Sequence, residues 1–226
     1  MRILLLAATP SELGPTVAWL RELAVRQEQN VLSFERVEIE VVFGGLGLIS
    51  TAFLLGRRLP APPAVQLAIQ VGVAGAFDRA LALGQVVNVI SEQLGDWGAE
   101  DPNGKLLPPA ALGFPPGFPF GEGGVLRPAG PSAILPYPTV AGLTVHRATG
   151  SQTTITRLRE SFPDAQVESM EGAAFFYGCM AAGVDALQLR AISNYVTPRD
   201  RSAWKLEPAI TAVNTALQRV LTPFIS

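Results

Sequence analysis

The chain has 226 residues, 48% of them hydrophobic and only 16% charged, with a formal net charge of −2. That length supports one α/β domain with a full core, and a near-neutral charge without a basic cluster removes the footprint of a nucleic-acid binder. A single cysteine, Cys179, and a single histidine, His146, exclude a disulfide framework and a His/Cys metal cage, so neither a metal nor a cofactor is expected. The low charged fraction implies that much of the chain is buried in the fold or against a partner subunit, and a homo-oligomer is expected.

Residues 2–8, RILLLAA, open the chain as an apolar run. It is shorter than most signal-peptide cores and is followed by Pro10 and Glu12, so it reads as a first buried strand. The segment TPSELGPTVAWLREL has helical spacing at Val17, Leu20 and Leu23. VEIEVVFGGLG alternates and then meets glycines, STAFLLGRRL reads as a helix, and VQLAIQVGVAGAF returns as a strand into a glycine-containing turn. VVNVISEQ is a further strand. Residues 102–138, rich in Pro, Gly and Phe, predict an ordered surface loop with a short hairpin. Then come a strand (GLTVHR), a helix (TTITRLRESF), a short strand (AQVES), a small-residue helix (MEGAAFFYGCMAAG), a strand ending at Asn194 and a last helix from about Trp204. Strands alternating with helices predict a mainly parallel sheet covered on both faces, in one domain without repeat or linker. No apolar stretch reaches the roughly 18 residues of a membrane span, and a cytoplasmic location is expected.

Three acidic or amide positions carry chemical interest. Thr9, Pro10 and Glu12 have the spacing of a helix capping box, in which Glu12 satisfies a backbone N–H; Glu12 also stands at the carboxyl end of the first strand, where a carboxylate can activate water. Glu171 opens an otherwise apolar helix, and carboxylates are rarely buried without a partner. The helix dipole supplies one reason for it; a role in accepting both hydroxyls of a sugar diol supplies another. Asn194 ends its strand with an amide, which cannot give up a proton. Arg190, four residues earlier, shares its face by period two, as a field-setting cation or a structural ion pair. His146 reads as an ordinary strand-end histidine and Cys179 as a core thiol. GGLGLIS fails the dinucleotide fingerprint at its third small position and lacks the acidic residue that would hold a ribose. Its glycines mark a strand-to-helix turn where backbone approaches something closely.

Taken together, the first strand with Glu12, GVAGAF at 72–77, LGQVVNVISE at 83–92, SMEGAA with Met170 and Glu171, and RAISN at 190–194 resemble the nucleoside phosphorylase/nucleosidase superfamily. Within it the likeness is greatest to methylthioadenosine/adenosylhomocysteine nucleosidases and to futalosine hydrolases of menaquinone biosynthesis. The resemblance implies a three-layer α/β/α sandwich around a mixed, twisted sheet and a purine nucleoside as small-molecule partner. It implies ribose over Met170, with Glu171 accepting from the 2′- and 3′-hydroxyls, and purine against Val73 to Gly75 and the backbone of Ala148, Thr149 and Gly150. Leu46 and Ser169 would complete the walls, Glu12 would be the base for water, and Asn194 would face N7 and the 6-substituent.

Two departures from the family pattern narrow this. Phosphorylases of the superfamily typically carry Arg where this chain has Gln70 and Ser or Thr where it has Val73, so phosphate is poorly provided for and water is the expected nucleophile. Adenine-releasing nucleosidases carry Asp where this chain has Asn194, and an amide suits a 6-oxopurine; the expected reaction is therefore hydrolysis of futalosine to hypoxanthine and dehypoxanthine futalosine. The alternatives are an adenine-releasing nucleosidase, a phosphorylase, or a binding protein of the same fold without chemistry. Trp97, Phe114, Phe118 and Phe120, with Arg199 or Arg201, are candidates for gripping an aromatic carboxylate beyond C5′.

Overall fold

Period two in the first strand decides the layers. In β1 (Arg2–Ala7), Leu4 and Leu6 enter one apolar cluster while Ile3, Leu5 and Ala7 enter another. The strand is buried on both faces, which is why its sequence is a continuous apolar run rather than an alternating one. In the computed structural model, which describes residues 1–130 and 135–226, the chain continues through α1 (Pro10–Leu23), β2 (Arg26–Glu28), β3 (Val31–Ser33), β4 (Glu38–Phe43), α2 (Leu48–Arg58), β5 (Leu67–Ala76) and β6 (Val86–Leu94). It goes on through β7 (Ala99–Glu100), β8 (Leu106–Leu107), β9 (Thr139–Thr144), α3 (Gln152–Ser161), β10 (Val167–Ser169), α4 (Gly172–Ala182), β11 (Asp185–Tyr195) and α5 (Leu206–Ile225).

The main sheet runs β10-β9-β6-β11-β5-β1-β4-β3-β2, with β10 also pairing antiparallel to β5. β1, β4, β5 and β11 lie parallel, as do β6, β9 and β10, and the two sets meet antiparallel. Helices α1 and α5 pack together over one face, and α2 and α4 over the other. This is the expected mixed α/β/α architecture, with one feature added: the second partner of β10 curls β5, β11, β6, β9 and β10 into a closed ring.

Most expected elements fall within a few residues of their observed bounds. Not anticipated was the β2–β3 hairpin at the sheet edge, whose first strand, RQE, is fully exposed and carries no apolar alternation. The hairpin expected within 102–138 is β7–β8, beginning slightly earlier at Ala99; residues 131–134 of that segment lie outside the described residues. β9 ends at Thr144, so His146 stands two residues beyond the strand, exposed, its backbone N–H bonded to Asp96 Oδ2. Cys179 is buried on α4 as expected, and burial pushes its thiol pKa upward.

The first and last helices are joined by one buried amide. Pro15 lies inside α1, where it lacks an N–H for the ladder. Asn214 of α5 accepts from Thr16 N–H (3.0 Å) and Thr16 Oγ1 (2.7 Å) and donates to Glu12 C=O (2.8 Å). Glu12 C=O and Thr16 N–H are the two groups that an undisturbed helix pairs with each other. The side chain of Asn214 thus serves the ladder at the proline and fixes the turn of α1 that carries Glu12.

Candidate active site

At the carboxyl ends of β1, β5 and β11 lies a cleft of about 290 Å³. Of the site residues expected from sequence, Glu12, Leu46, Val73, Gly75, Ala148, Thr149, Ser169, Met170, Glu171 and Asn194 line it, whereas Gly150 does not. Glu168, Ser193 and Trp204 line it too and were not anticipated. A larger cavity of about 460 Å³ opens beside Trp97 and Phe120, away from these groups.

Glu12 does two things at once. Its Oε2 accepts from Thr9 N–H (3.0 Å) and Thr9 Oγ1 (3.1 Å), the capping-box contact read from TPSE. Its Oε1 turns the other way, accepts a long bond from Val73 N–H (3.4 Å) and faces Gly72. Capping holds the carboxylate in place, and the free edge of Oε1 remains for a ligand or water.

Glu171 is 5% exposed at the start of α4. Its Oε1 accepts from Gly47 N–H at 3.0 Å, and its Oε2 lies 3.6 Å from Arg190 Nη1. Gly47 has φ of 90°, a conformation natural to glycine, so the glycine turn is where backbone comes close to Glu171. Arg190 is 2% exposed and donates to Gln70 Oε1 (3.0 Å) and Gln188 Oε1 (3.1 Å). Gln188 in turn donates to Glu92 (2.9 Å), which also accepts from Thr144 Oγ1, whose oxygen accepts from Ala173 N–H. Burial pushes the Glu92 carboxyl up to about 7, against the opposing hydrogen bonds of Gln188 and Thr144. A polar chain thus runs beneath α4 from Glu171 to Glu92, and every link has a partner.

Arg190 does not share a face with Asn194, contrary to the period-two expectation. β11 follows β5 residue for residue from Asp185 to Ile192, which pairs with Ala74, but Asn194 pairs with Gly75. Ser193 is the extra residue of a bulge, and a bulge re-aims the side chains beyond it. Arg190 stays on the α4 side with Ile192 and Ala186, whereas Asn194 comes round to the face of Gly75. Its Oδ1 lies 2.8 Å from Ser193 Oγ and its Nδ2 donates to Tyr195 C=O at 3.1 Å. Each amide atom keeps capacity for one further bond, an acceptor site on Oδ1 and a donor on Nδ2.

Glu168 is 7% exposed, accepts from Thr149 N–H through Oε1 (2.9 Å), and burial raises its pKa. The candidates for gripping a distant carboxylate divide. Phe114 and Phe118 are exposed, and Trp97 stacks on Phe120 4.7 Å away, in the wall of the larger cavity rather than of the cleft. Arg199 and Arg201 lie 5.6 and 6.0 Å from the ring of Trp204, which lines the cleft itself. Among the described residues no three His, Cys, Asp or Glu side chains gather as a metal site, and no helix is long and apolar enough to cross a membrane.

Comparison with known proteins adds relatives to this geometry. The chain is 32% identical over 192 residues to a futalosine hydrolase of Thermus thermophilus, covering 78% of each chain. It is 34% identical over 160 residues to one of Streptomyces coelicolor, covering 68% of this chain and spanning 64% of that relative's length. In fold it matches a futalosine hydrolase of Helicobacter pylori with TM-score 0.79 at 17% identity, covering 99% and 98% of the two chains. It matches an S-adenosylhomocysteine nucleosidase of Streptococcus pyogenes, solved with 5-methylthiotubericidin, with TM-score 0.77 at 21% identity, covering 99% and 97%. The sheet that curls on itself and the glycine turns that meet buried acids fall within a single profile match running over residues 2–226, and the chain belongs to the Phosphorylase superfamily.

Proposed function

We propose that the protein is a nucleosidase that hydrolyses the N-glycosidic bond of a 5′-modified 6-oxopurine nucleoside, futalosine, to hypoxanthine and dehypoxanthine futalosine. The observation that carries this is the meeting of Glu12, Glu171 and Asn194 in one cleft. Breaking C1′–N9 leaves cationic charge on the ribose and an electron pair on the purine, so the site must supply a water-activating base, a carboxylate near the sugar and a partner for the leaving base. Glu12 Oε1 takes the proton from the attacking water. Glu171, fixed by Gly47 and Arg190, accepts from the ribose diol and offsets the charge of the sugar. Asn194 Oδ1 accepts from N7–H of the departing base and Nδ2 donates to O6; the N7 proton comes from solvent, because an amide has none to give. Adenine would present two donors at this edge, which suits a carboxylate instead.

Water rather than phosphate is the nucleophile on charge grounds. Gln70 and Val73 offer no cation, and Arg190 is already engaged with Glu171, Gln70 and Gln188. A phosphate dianion would meet Glu12, Glu168 and Glu171 around one compensated arginine, a strongly unfavourable field. The exposed apolar side chains Leu46, Ile49 and Phe53, on and beside α2, support a homo-oligomeric state.

The test is incubation of the purified protein with futalosine in phosphate-free buffer, beside methylthioadenosine and aminodeoxyfutalosine, with identification of the released base. Hypoxanthine release without phosphate is expected. Adenine release from the 6-amino substrates with futalosine untouched, or turnover that requires phosphate, would overturn the assignment.

A further inference from the structure

Along the polar chain beneath α4, Gln70, Gln188 and Glu92 are buried and have no part in the proposed bond cleavage. Polar side chains are kept in a core where hydrogen bonds offset their desolvation, and here all three lead to one cation. Gln70 in β5 and Gln188 in β11 are in register, and Arg190 follows on the same face, opposite Gly72. The glycine leaves room for the guanidinium, and the paired amides form its seat.

A guanidinium has five N–H groups. Arg190 Nε donates to Gln188 Oε1 (3.3 Å), and Nη2 donates to Gln188 Oε1 (3.1 Å) and Gln70 Oε1 (3.0 Å). The N–H groups of Nη1 are left for the cleft. Nη1 lies 3.6 Å from Glu171 Oε2, and a Cβ on Gly72 would meet both Nη1 (2.6 Å) and Glu12 Oε1 (2.8 Å). The seat thus turns one nitrogen toward both carboxylates of the proposed mechanism.

Glu92 keeps Gln188 from turning over. An amide has an acceptor end and a donor end, and a reversed Gln188 would press its NH₂ against a guanidinium that has only donors. Glu92 Oε1 accepts from that NH₂ at 2.9 Å, while its Oε2 accepts from Thr144 Oγ1 at 2.8 Å. The carboxyl has no room to swing: a Cβ on Gly142 would stand 2.5 Å from Oε1, and one on Gly172 would meet the same oxygen closer still. Gly172 directly follows Glu171, so this support reaches under the turn that carries the acid assigned to the ribose.

We propose that Gln188 is a positioning residue, held in orientation by Glu92, that aims Arg190 Nη1 at Glu12 and Glu171 and so fixes the two carboxylates relative to each other. It acts through Arg190 and touches no substrate. Its effect on turnover rests on the nucleosidase reading, whereas the aiming is measured without substrate.

Side-chain NMR of isotope-labelled protein reads the aiming, with the Arg190 signals assigned by their loss in Arg190→Lys. In the parent, Nη1 and Nη2 are expected to give separate signals, because a held guanidinium does not rotate; in Gln188→Met the two should merge. Futalosine turnover per folded molecule is expected to fall at least about ten-fold in Gln188→Met, as a sub-ångström misplacement of catalytic groups does. Glu92→Met should share both losses, and Glu92→Gln, which keeps an oxygen for Gln188, should restore both. In an Arg190→Lys background, Gln188→Met should lower the rate by less than about two-fold, since no guanidinium remains to be aimed. Parental turnover or unchanged signals in folded Gln188→Met would overturn the proposal. So would a fully additive loss in the Arg190→Lys background, which would make Gln188 a packing residue. Should no variant fold, the parent decides: one averaged Arg190 signal refutes the aiming. Signals that merge as expected in Gln188→Met, from a parent that leaves futalosine intact, would sink the hydrolase reading alone.

Discussion

Gly72→Ala tests whether the site depends on position as well as on functional groups, because it removes none of them. A Cβ built on Gly72 stands 2.6 Å from Arg190 Nη1 and 2.8 Å from Glu12 Oε1, where ordinary contacts begin at 3.4 Å. Gly72 lies within β5, paired with Arg190 in β11, so the side chains yield before the backbone does. The two side chains must therefore retreat by about 0.6 to 0.8 Å, with Arg190 pressed onto Gln70 and Gln188. Overpacking of this kind costs about 1–3 kcal/mol, which for a domain of this size lowers Tm by roughly 2–4 °C per kcal/mol. A shift approaching 1 Å in a positioned base costs about 10²-fold in rate. The assay is steady-state release of free purine together with a thermal melt on the same preparation. Gly56→Ala is the control: Gly56 is exposed in α2 with nothing within 4 Å of an added methyl, so about 0.5–1 kcal/mol of stability should be gained and no activity lost. If folded Gly72→Ala protein keeps kcat/KM within three-fold of the parent, the placement of Glu12 and Arg190 does not matter and the proposed mechanism is wrong.

Four further outcomes are expected. Glu171→Gln keeps the Gly47 contact through its amide oxygen but turns an NH₂ toward Arg190, and should cost at least about 10²-fold in rate and roughly 3 kcal/mol in stability; normal turnover would remove its role. In Glu12→Gln the cap survives while the base is lost, so the melting temperature should hold and hydrolysis collapse; a lowered melting temperature with an intact rate per folded molecule would make Glu12 a cap alone. Asn194→Asp should move the ratio of kcat/KM for futalosine over its 6-amino analogue by about ten-fold or more toward the latter, and a fixed ratio would mean that Asn194 does not read the base. The raised Glu92 pKa, 4.5 in the ordinary carboxyl and about 7 here, means that the folded state holds a proton the unfolded chain releases, so stability should fall by about 3 kcal/mol as pH rises from about 4.5 to above 7. Glu168, raised by burial, acts in the same direction, whereas Glu40, which burial would raise but Arg58 and Arg2 hold low, acts only below that window. Melts of Glu92→Gln across pH 5 to 8 should be flatter than those of the parent, and parallel curves would count against a buried, protonated Glu92.

How far the sequence alone reaches depends on what kind of pattern a feature leaves. β1 and β5 leave apolar runs because both faces are covered, and the capping box at Thr9 and the glycine turn at Gly47 leave local spacings that the structure reproduces. The ten cleft residues became legible through family blocks, since their convergence depends on strands far apart in the chain. Arg190 was placed on the wrong face because periodicity assumes an unbroken strand, and nothing in RAISN announces a bulge at Ser193. The second partner of β10 is equally silent, because a three-residue strand carries no record of closing a ring. Glu168 was passed over as an unremarked member of AQVES; its register with Gly75 exists only once β10 pairs with β5.

The amide of Asn214 also sets an order of assembly. Thr16 and the residue that secures its N–H are 198 positions apart, so a chain leaving the ribosome makes the helix bearing Glu12 long before the side chain that steadies its proline turn. Contacts of such separation close late, since the entropy of the intervening loop must be overcome first. Until residue 214 has emerged and docked, Glu12, the proposed base, sits on an unsecured turn. The geometry of the proposed site is therefore completed only with α5, the last helix in chain order.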